Sequence, residues 1–208
     1  MNSCALYLFR HGQTDWNAEG RIQGHLDIPL NDHGRSQALK IAPHLKRFGI
    51  EAILSSDLCR AHETAQIIAR HIGEVPIFTD QGLREIHLGK VQGLTRDEIA
   101  AQFGAEFSKN LRALPLTDDE VALTGSETGE QVIGRALSAI ARFMETRSYK
   151  AIGIATHGGV VRRLIQKAMN DGSFPAPIPN GIIYPLRFTL ATADNDSTLK
   201  LERSLPLV

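Results

Sequence analysis

The chain has 208 residues, 42% of them hydrophobic, enough for one sizeable core and more in keeping with one domain than with two. Its 23 basic and 23 acidic side chains cancel, so no global field points to nucleic acid or to an anionic membrane, and any anion must be held locally. Two distant cysteines, Cys4 and Cys59, argue against a disulfide framework and a zinc site, and no apolar run approaches membrane-spanning length.

The first run, ALYLFR (Ala5 to Arg10), reads as a strand. Its apolar part is too short for a secretory signal core and lacks a basic lead, so the expectation is a soluble cytoplasmic protein. Asn31 then caps a helix whose apolar stripe is Ala38, Ile41, Ala42, Leu45 and Phe48, ending at Gly49, with Pro43 as a potential kink. AILSSD (Ala52 to Asp57) is the next strand, and a helix from Leu58 to Ile72 follows with Ala61, Ala65, Ile68 and Ile72 on one face. VPIF (Val75 to Phe78) is a short strand.

Thr95 to Leu114 has a helical pattern, and the acidic stretch LPLTDDEVALTGSE after it reads as an irregular cap segment. A long helix runs from Glu127 to Thr146 on Val132, Ala136, Ile140 and Phe143. AIGIATH (Ala151 to His157) is a nearly continuous apolar strand with the helix VVRRLIQKAM behind it. Ile182 to Leu190 and Thr198 to Ser204 make a closing antiparallel hairpin around ADNDS. Apolar strands alternating with helices predict an α/β fold, a three-layer α/β/α sandwich with a mostly parallel central sheet. The whole chain, 1–208, reads as a single domain with a small cap inserted at about 95–126.

Ligands of such sheets bind beyond the carboxyl ends of the strands. Polar signals gather at those ends: Arg10-His11-Gly12, then Ser55-Ser56-Asp57 leading to Arg60, then Thr156-His157-Gly158-Gly159. Each has an ordinary explanation alone. Ser56 has the form of a helix N-cap, and the paired glycines suit a tight strand-to-helix turn. Together, two arginines and two histidines suit a phosphate monoester, which carries roughly −1.5 to −2 charges near neutral pH.

The ordered set RHGQTDWN, SSDLCRAHETA, LREIHLGKVQGLT and ATHGG resembles the histidine phosphatase superfamily, which includes the cofactor-dependent phosphoglycerate mutases. GSETGEQVIGR (Gly125 to Arg135) is similar to a further signature of that family. The resemblance implies that His11 is the nucleophile, that Arg10, Arg60 and His157 complete the phosphate pocket, and that Glu85 is the proton donor. It also matches Asn17 to a phosphoryl contact, Gln23 and Gly24 to a loop closing over the substrate, and Thr14 to a loop-shaping role.

Physical chemistry is consistent with those roles. Only a neutral imidazole can attack phosphorus, and adjacent arginines disfavour the imidazolium. An alkoxide leaving group needs a proton from a carboxyl, which a bound dianion helps to keep in its acid form. The developing charge would be balanced by the two arginines and a protonated His157. No metal and no resident cofactor is expected. An extended LREIHLG would put His87 on the same side as Glu85, as a leaving-group contact, whereas His33, His44, His62 and His71 fall on helices or caps as solvated residues.

Relatives commonly read G-x-W-E-G after the acid, and this chain has Gly89-Lys90-Val91-Gln92-Gly93, a change expected to touch local packing or substrate preference. The leading expectation is a metal-independent phosphomonoester hydrolase acting on a small phosphorylated metabolite. Phosphoserine, 3-phosphoglycerate, α-ribazole phosphate and sugar phosphates all stay open. The alternatives are a cofactor-dependent phosphoglycerate mutase and a phosphate-binding or interaction module with little catalysis. No nucleic-acid or membrane partner is expected, and a homodimer through an edge strand fits the pattern.

Overall fold

The computed structural model describes residues 3–113, 116–169, 178–190 and 198–201. Six strands, β1 (Ser3–Arg10), β2 (Ala52–Ser55), β3 (Ile77–Thr79), β4 (Ala151–Thr156), β5 (Ile183–Thr189) and β6 (Thr198–Leu201), form one sheet in the order β3-β2-β4-β1-β5-β6. The first four are parallel, and β5 and β6 add antiparallel at one edge. A mostly parallel sheet flanked by helices is the architecture expected from the alternating pattern. The turn ADNDS lies outside the described residues.

Alternation within the central strands explains why both faces are covered. Cys4, Leu6 and Leu8 of β1, with Ile152 and Ile154 of β4, belong to one buried cluster, while Tyr7, Phe9, Ile53 and Ala155 belong to the other. Successive side chains point to opposite faces, so a strand apolar at every position needs a helical layer on each side. One layer is α2 (Asp32–Arg47) and α3 (Cys59–Ile72), which supply Ala38, Ile41, Ala42, Leu45, Ala65 and Ile68. The other is α7 (Gly129–Glu145) and α8 (Gly158–Met169), with Val132, Ala136, Ile140, Phe143, Val161 and Leu164. Asn31 caps α2 through a bond from Gly34 N–H, and α2 continues unbroken through Pro43.

Three local readings are corrected. A short helix, α1 (Asp15–Glu19), follows the first strand, because Thr14 and Asn17 close a reciprocal capping box and Gly20 takes a left-handed C-cap. The single helix expected from Thr95 is two, α4 (Arg96–Phe103) and α5 (Ala105–Ala113), interrupted at Gly104 with φ near +95°. The acidic stretch is not irregular: Asp118–Thr124 is helix α6. Thr117 and Glu120 form its capping box, and Asp118, Asp119 and Glu120 occupy its first turn, where carboxylates complement the helix dipole. Among the described residues no helix is long and apolar enough to cross a membrane.

The N-terminus of α2 is pressed against the chain leaving β1. A Cβ on Gly12 would stand 2.3 Å from the Gly34 carbonyl oxygen, and one on Gly34 would stand 2.1 Å from the Gln13 carbonyl oxygen. Both contacts are backbone, so neither can rotate away. Gly34→Ala should therefore destabilise the protein by roughly 1–3 kcal/mol. Gly134, exposed within α7 with open space at its Cβ position, is the opposite case, and Gly134→Ala should stabilise by about 0.5–1 kcal/mol. Opposite signs of the shift in denaturant midpoint check both.

Candidate active site

The carboxyl ends of β1, β2 and β4 meet around a cavity of about 260 Å³. Arg10, His11, Asn17, Gln23, Gly24, Arg60 and Glu85 line it. His157 is wholly buried against His11, with ring centroids 5.0 Å apart, and is not itself part of the cavity wall.

His11 is oriented by the backbone. Its amide donates to the Thr156 carbonyl at 2.9 Å, continuing the β1–β4 pairing one residue beyond the strand. Its Nδ1 lies 2.6 Å from the Gly12 carbonyl. A carbonyl only accepts, so Nδ1 carries the proton and Nε2 keeps its lone pair. Burial first, then Arg10 and Arg60, hold the His11 pKa well below the ordinary value of 6.5. The imidazole is held neutral, with its lone pair on Nε2.

Arg60 is fully buried, with Nη1 on the Leu26 carbonyl and Nη2 on the Gly24 carbonyl, each at 2.8 Å. Arg10 donates through Nη1 to the Ile178 carbonyl at 2.7 Å. Neither guanidinium has a carboxylate within ion-pair distance among the described residues, and the Nε of each is buried without a partner. Thr64, one helical turn beyond Arg60, accepts from the Gly12 amide and donates to the Arg60 carbonyl, binding the two arginine-bearing segments together.

Ser56 is not the N-cap of α3. That position is Leu58, which makes no side-chain cap bond, and its amide donates instead to Ser56 Oγ at 3.3 Å. Ser56 Oγ also lies 2.9 Å from His157 Nε2, while His157 Nδ1 is buried with no partner. Burial, then Arg60, His11 and Arg10, hold the His157 pKa well below 6.5, so the protonated His157 expected from the sequence is neutral in the free protein. A bound dianion supplies the negative charge that would favour its imidazolium.

Glu85 reaches the cavity from the irregular segment after β3. Its Oε1 accepts from the Ile86 amide at 2.9 Å and its Oε2 from the Gly159 amide at 3.2 Å, in the first turn of α8. A Cβ at Gly159 would come within 2.4 Å of Glu85 Oε1, so this glycine serves a close approach to the carboxylate as well as a turn. Asn17 gives its Oδ1 to the Thr14 amide, leaving its NH₂ as the group available to an anion. Thr14 shapes that helix start and does not line the cavity.

His87 also lies off the cavity wall. Its ring meets that of His25 at 5.1 Å, its amide donates to Glu127, and its Nε2 stands 3.5 Å from the Gln92 amide nitrogen. Gln92, one of the two departures from the common pattern, joins the loop to the acid segment: its Oε1 accepts from the His25 and Leu88 amides at 2.8 and 3.3 Å. Gly24, at φ near +54°, is needed there because a Cβ would collide with Gln92 Oε1 at 2.0 Å. Val91, the other departure, is fully buried in the core.

The outer wall was not assigned residue by residue from sequence. Trp16, Arg21, Ile22, Leu88 and Arg96 form it, with the Arg21 guanidinium 5.6 Å from the Trp16 ring centre. Arg96 is the cavity-lining residue that the described part of the 95–126 segment supplies. No three His, Cys, Asp or Glu side chains stand together as a metal site among the described residues.

Known proteins place this arrangement. The family model described as the histidine phosphatase superfamily (branch 1) matches residues 6–192. The chain is similar to phosphoglycerate mutase-like protein 4 of Arabidopsis thaliana, 42% identical over 167 residues, which are 78% of this chain and 70% of that protein. It is also similar to a metal-independent phosphoserine phosphatase of Arabidopsis thaliana, 35% identical over 164 residues, or 76% of this chain and 66% of that protein. Among solved structures, a mycobacterial glucosyl-3-phosphoglycerate phosphatase in complex with VO3 superposes with a TM-score of 0.75 at 28% identity, covering 95% of this chain and 98% of that one.

The two depressed histidines couple stability to pH. His11 and His157 stay neutral in the folded chain, whereas an unfolded chain takes up their protons near the ordinary value of 6.5. Their stabilising contribution is therefore complete above that value and is lost as pH falls below it. The urea midpoint should drop between about pH 7.5 and pH 5.5, and His157→Gln should lessen the drop. An equal drop in both proteins would show that this imidazole is not held neutral.

Proposed function

We propose that the chain, which belongs to the histidine phosphatase superfamily and is a phosphatase, hydrolyses small phosphomonoesters without a metal, through a phosphohistidine on His11. The observation that carries this reading is the pair of guanidinium groups, Arg10 half-buried and Arg60 fully buried, that face one cavity with no carboxylate paired to either among the described residues. Burying a cation without a counter-charge costs several kcal/mol, at least about 3–5 when a partner is missing. A dianion in the cavity would supply that charge.

The chemistry follows from the placement of lone pairs and protons. His11 Nε2 attacks phosphorus in line with the ester oxygen, and the P–O bond breaks as the leaving oxygen takes the Glu85 proton. Glu85, now a carboxylate, draws a proton from water while the water oxygen attacks phosphorus. The P–N bond then breaks, its electron pair returns to Nε2, and inorganic phosphate leaves. Arg10, Arg60 and His157, charged once the dianion is bound, balance the equatorial oxygens throughout.

Hydrolysis is favoured over mutase chemistry by the outer wall, where Arg21 is already ion-paired to Glu19 and Glu98. The described part of the 95–126 segment brings one arginine, Arg96, to the cavity, and its acidic run is spent on the α6 N-terminus. A mutase must hold a second phosphate and exclude water while the phosphohistidine waits. Incubation with 3-phosphoglycerate and a trace of 2,3-bisphosphoglycerate separates the two readings. Free phosphate should dominate and survive exhaustive chelation, whereas rapid 2-phosphoglycerate with little phosphate would assign the chain to the mutases.

His11→Ala should abolish turnover and, with it, any acid-labile, base-stable labelling of the protein by substrate phosphate. Retention of full activity would remove His11 from the mechanism. Glu85→Gln should slow alkyl phosphates much more than activated aryl phosphates, whose leaving groups need little protonation. Equal loss on both esters would argue against Glu85 as the acid.

A further inference from the structure

The acid-bearing segment has little secondary structure of its own. After β3 the chain makes a single 3₁₀ turn, Gln81–Leu83, and then runs irregularly through Glu85 to His87. Its backbone groups must find partners elsewhere. Arg135, from the middle of α7, donates through Nη1 to the carbonyls of Gly82 and Arg84 at 2.8 and 2.6 Å, and through Nη2 to the carbonyl of Glu85 itself at 2.8 Å. Glu127, just before α7, grips the same guanidinium with both oxygens, Oε1 on Nε at 2.8 Å and Oε2 on Nη2 at 2.9 Å.

Glu127 also holds the far side of the acid. Its Oε2 accepts from the His87 amide at 2.8 Å, and its own amide donates to the His87 carbonyl at 2.8 Å. Thus one ion pair fixes the carbonyls before and at Glu85 and the amide two residues after it. Both partners are about one-fifth exposed, so the pair is shielded from competing water. Burial works to raise the Glu127 carboxyl, but the hydrogen bonds from Arg135 and the His87 amide outweigh it and leave the pKa below the ordinary carboxylate range.

We infer that Glu127 and Arg135 are positioning residues for the general acid: their ion pair sets where the Glu85 carboxyl stands relative to the leaving-group oxygen, without touching substrate. This rests on the reading of Glu85 as the acid. Neither residue lines the cavity, and the phosphate-facing groups are held by different partners. Arg10 hangs on Ile178, Arg60 on Gly24 and Leu26, and His11 on Gly12. The side chain of Arg84 is separately locked to Asp57 through its Nε, at 2.8 Å, and its Nη2. The Glu85 carbonyl also accepts from His25 Nε2 at 2.7 Å, so loss of the Glu127–Arg135 pair should loosen the Glu85 backbone, leaving it on that one bond, while the phosphate pocket stays in place.

A proton donor displaced by about 1 Å loses on the order of 100-fold in rate when the leaving group depends on it, and little when it does not. Arg135→Lys keeps the charge but cannot span three carbonyls, and Glu127→Gln is the milder change that keeps one oxygen for the pair. Each variant should lose roughly 10- to 100-fold in kcat/KM, which reads the first phosphoryl transfer, on an alkyl phosphate and less than about threefold in kcat/KM on 4-nitrophenyl phosphate. Competitive inhibition by inorganic phosphate should shift by less than about twofold in both.

Coupling to Glu85 is tested by adding Arg135→Lys to Glu85→Gln: the double variant should be no slower on the alkyl ester than Glu85→Gln alone, because misplacing an acid that is already absent costs nothing. If both esters lose rate equally in both variants, or if the two substitutions multiply in the double variant, the positioning role is wrong even though Glu85 acts as the acid. If Glu85→Gln itself shows no preference between esters, the reading of Glu85 fails first. Thermal melting of Glu127→Gln supplies the folding control, and a folded variant with unchanged ester selectivity also overturns the inference.

Discussion

Two guanidinium groups at the end of a parallel sheet, one half-buried and one fully buried, with no carboxylate paired to either among the described residues, set the terms for the rest of this molecule. Arg10 and Arg60 are held by backbone carbonyls, whose partial charges orient a cation without neutralising it. Glu85 is the acidic group that most favours the charged state of both, yet it ion-pairs with neither. The site thus stores an unsatisfied field. Burial first, and that field second, hold His11 and His157 well below the ordinary imidazole pKa.

Holding such a field together requires a rigid frame, and the packing shows where it comes from. β1 is paired on both sides, to β4 and to β5, so Arg10 and His11 leave a strand from the interior of the sheet. The chain beyond His11 has no room for side chains where it meets α2, which makes Gly12 and Gly34 part of the frame. Thr64 then ties Gly12 to the turn of α3 that carries Arg60. Each cation is therefore located by elements from different parts of the chain, and none depends on the flexible reach of a long side chain alone.

What could be read from the sequence divides along a physical line. Strands apolar at every position announced a sheet covered on both faces, and polar triplets at their carboxyl ends marked where Arg10, His11, Arg60 and His157 would meet. Those signals are local and periodic. The missed features depend on neighbours distant in sequence. Ser56 looks like a helix cap until its hydroxyl is found on His157, about a hundred residues away. His87 shares a side with Glu85 only if the segment is extended, and here the chain turns it toward His25 and Glu127. The α6 helix is legible in principle, since Thr117 and Glu120 form a capping box, but its run of acids reads as an irregular cap segment.

The two carboxylate positions of the common family pattern carry a further lesson about how the acid and the anion are kept apart. On the proposed reading of Glu85 as the acid, a carboxylate placed against Arg10 or Arg60 would quench the field that recruits a phosphate, so the acid has to approach it without pairing with its cations. Glu85 does this by giving its oxygens to the amides of Ile86 and Gly159, neutral donors that locate it without consuming a guanidinium. At the other position, this chain has Gln92, whose neutral amide joins the His25 and Leu88 amides and adds no second negative charge beside Glu85. On that reading acid and cations respond to the substrate separately: the dianion meets the arginines while the carboxyl stays located by its two amides.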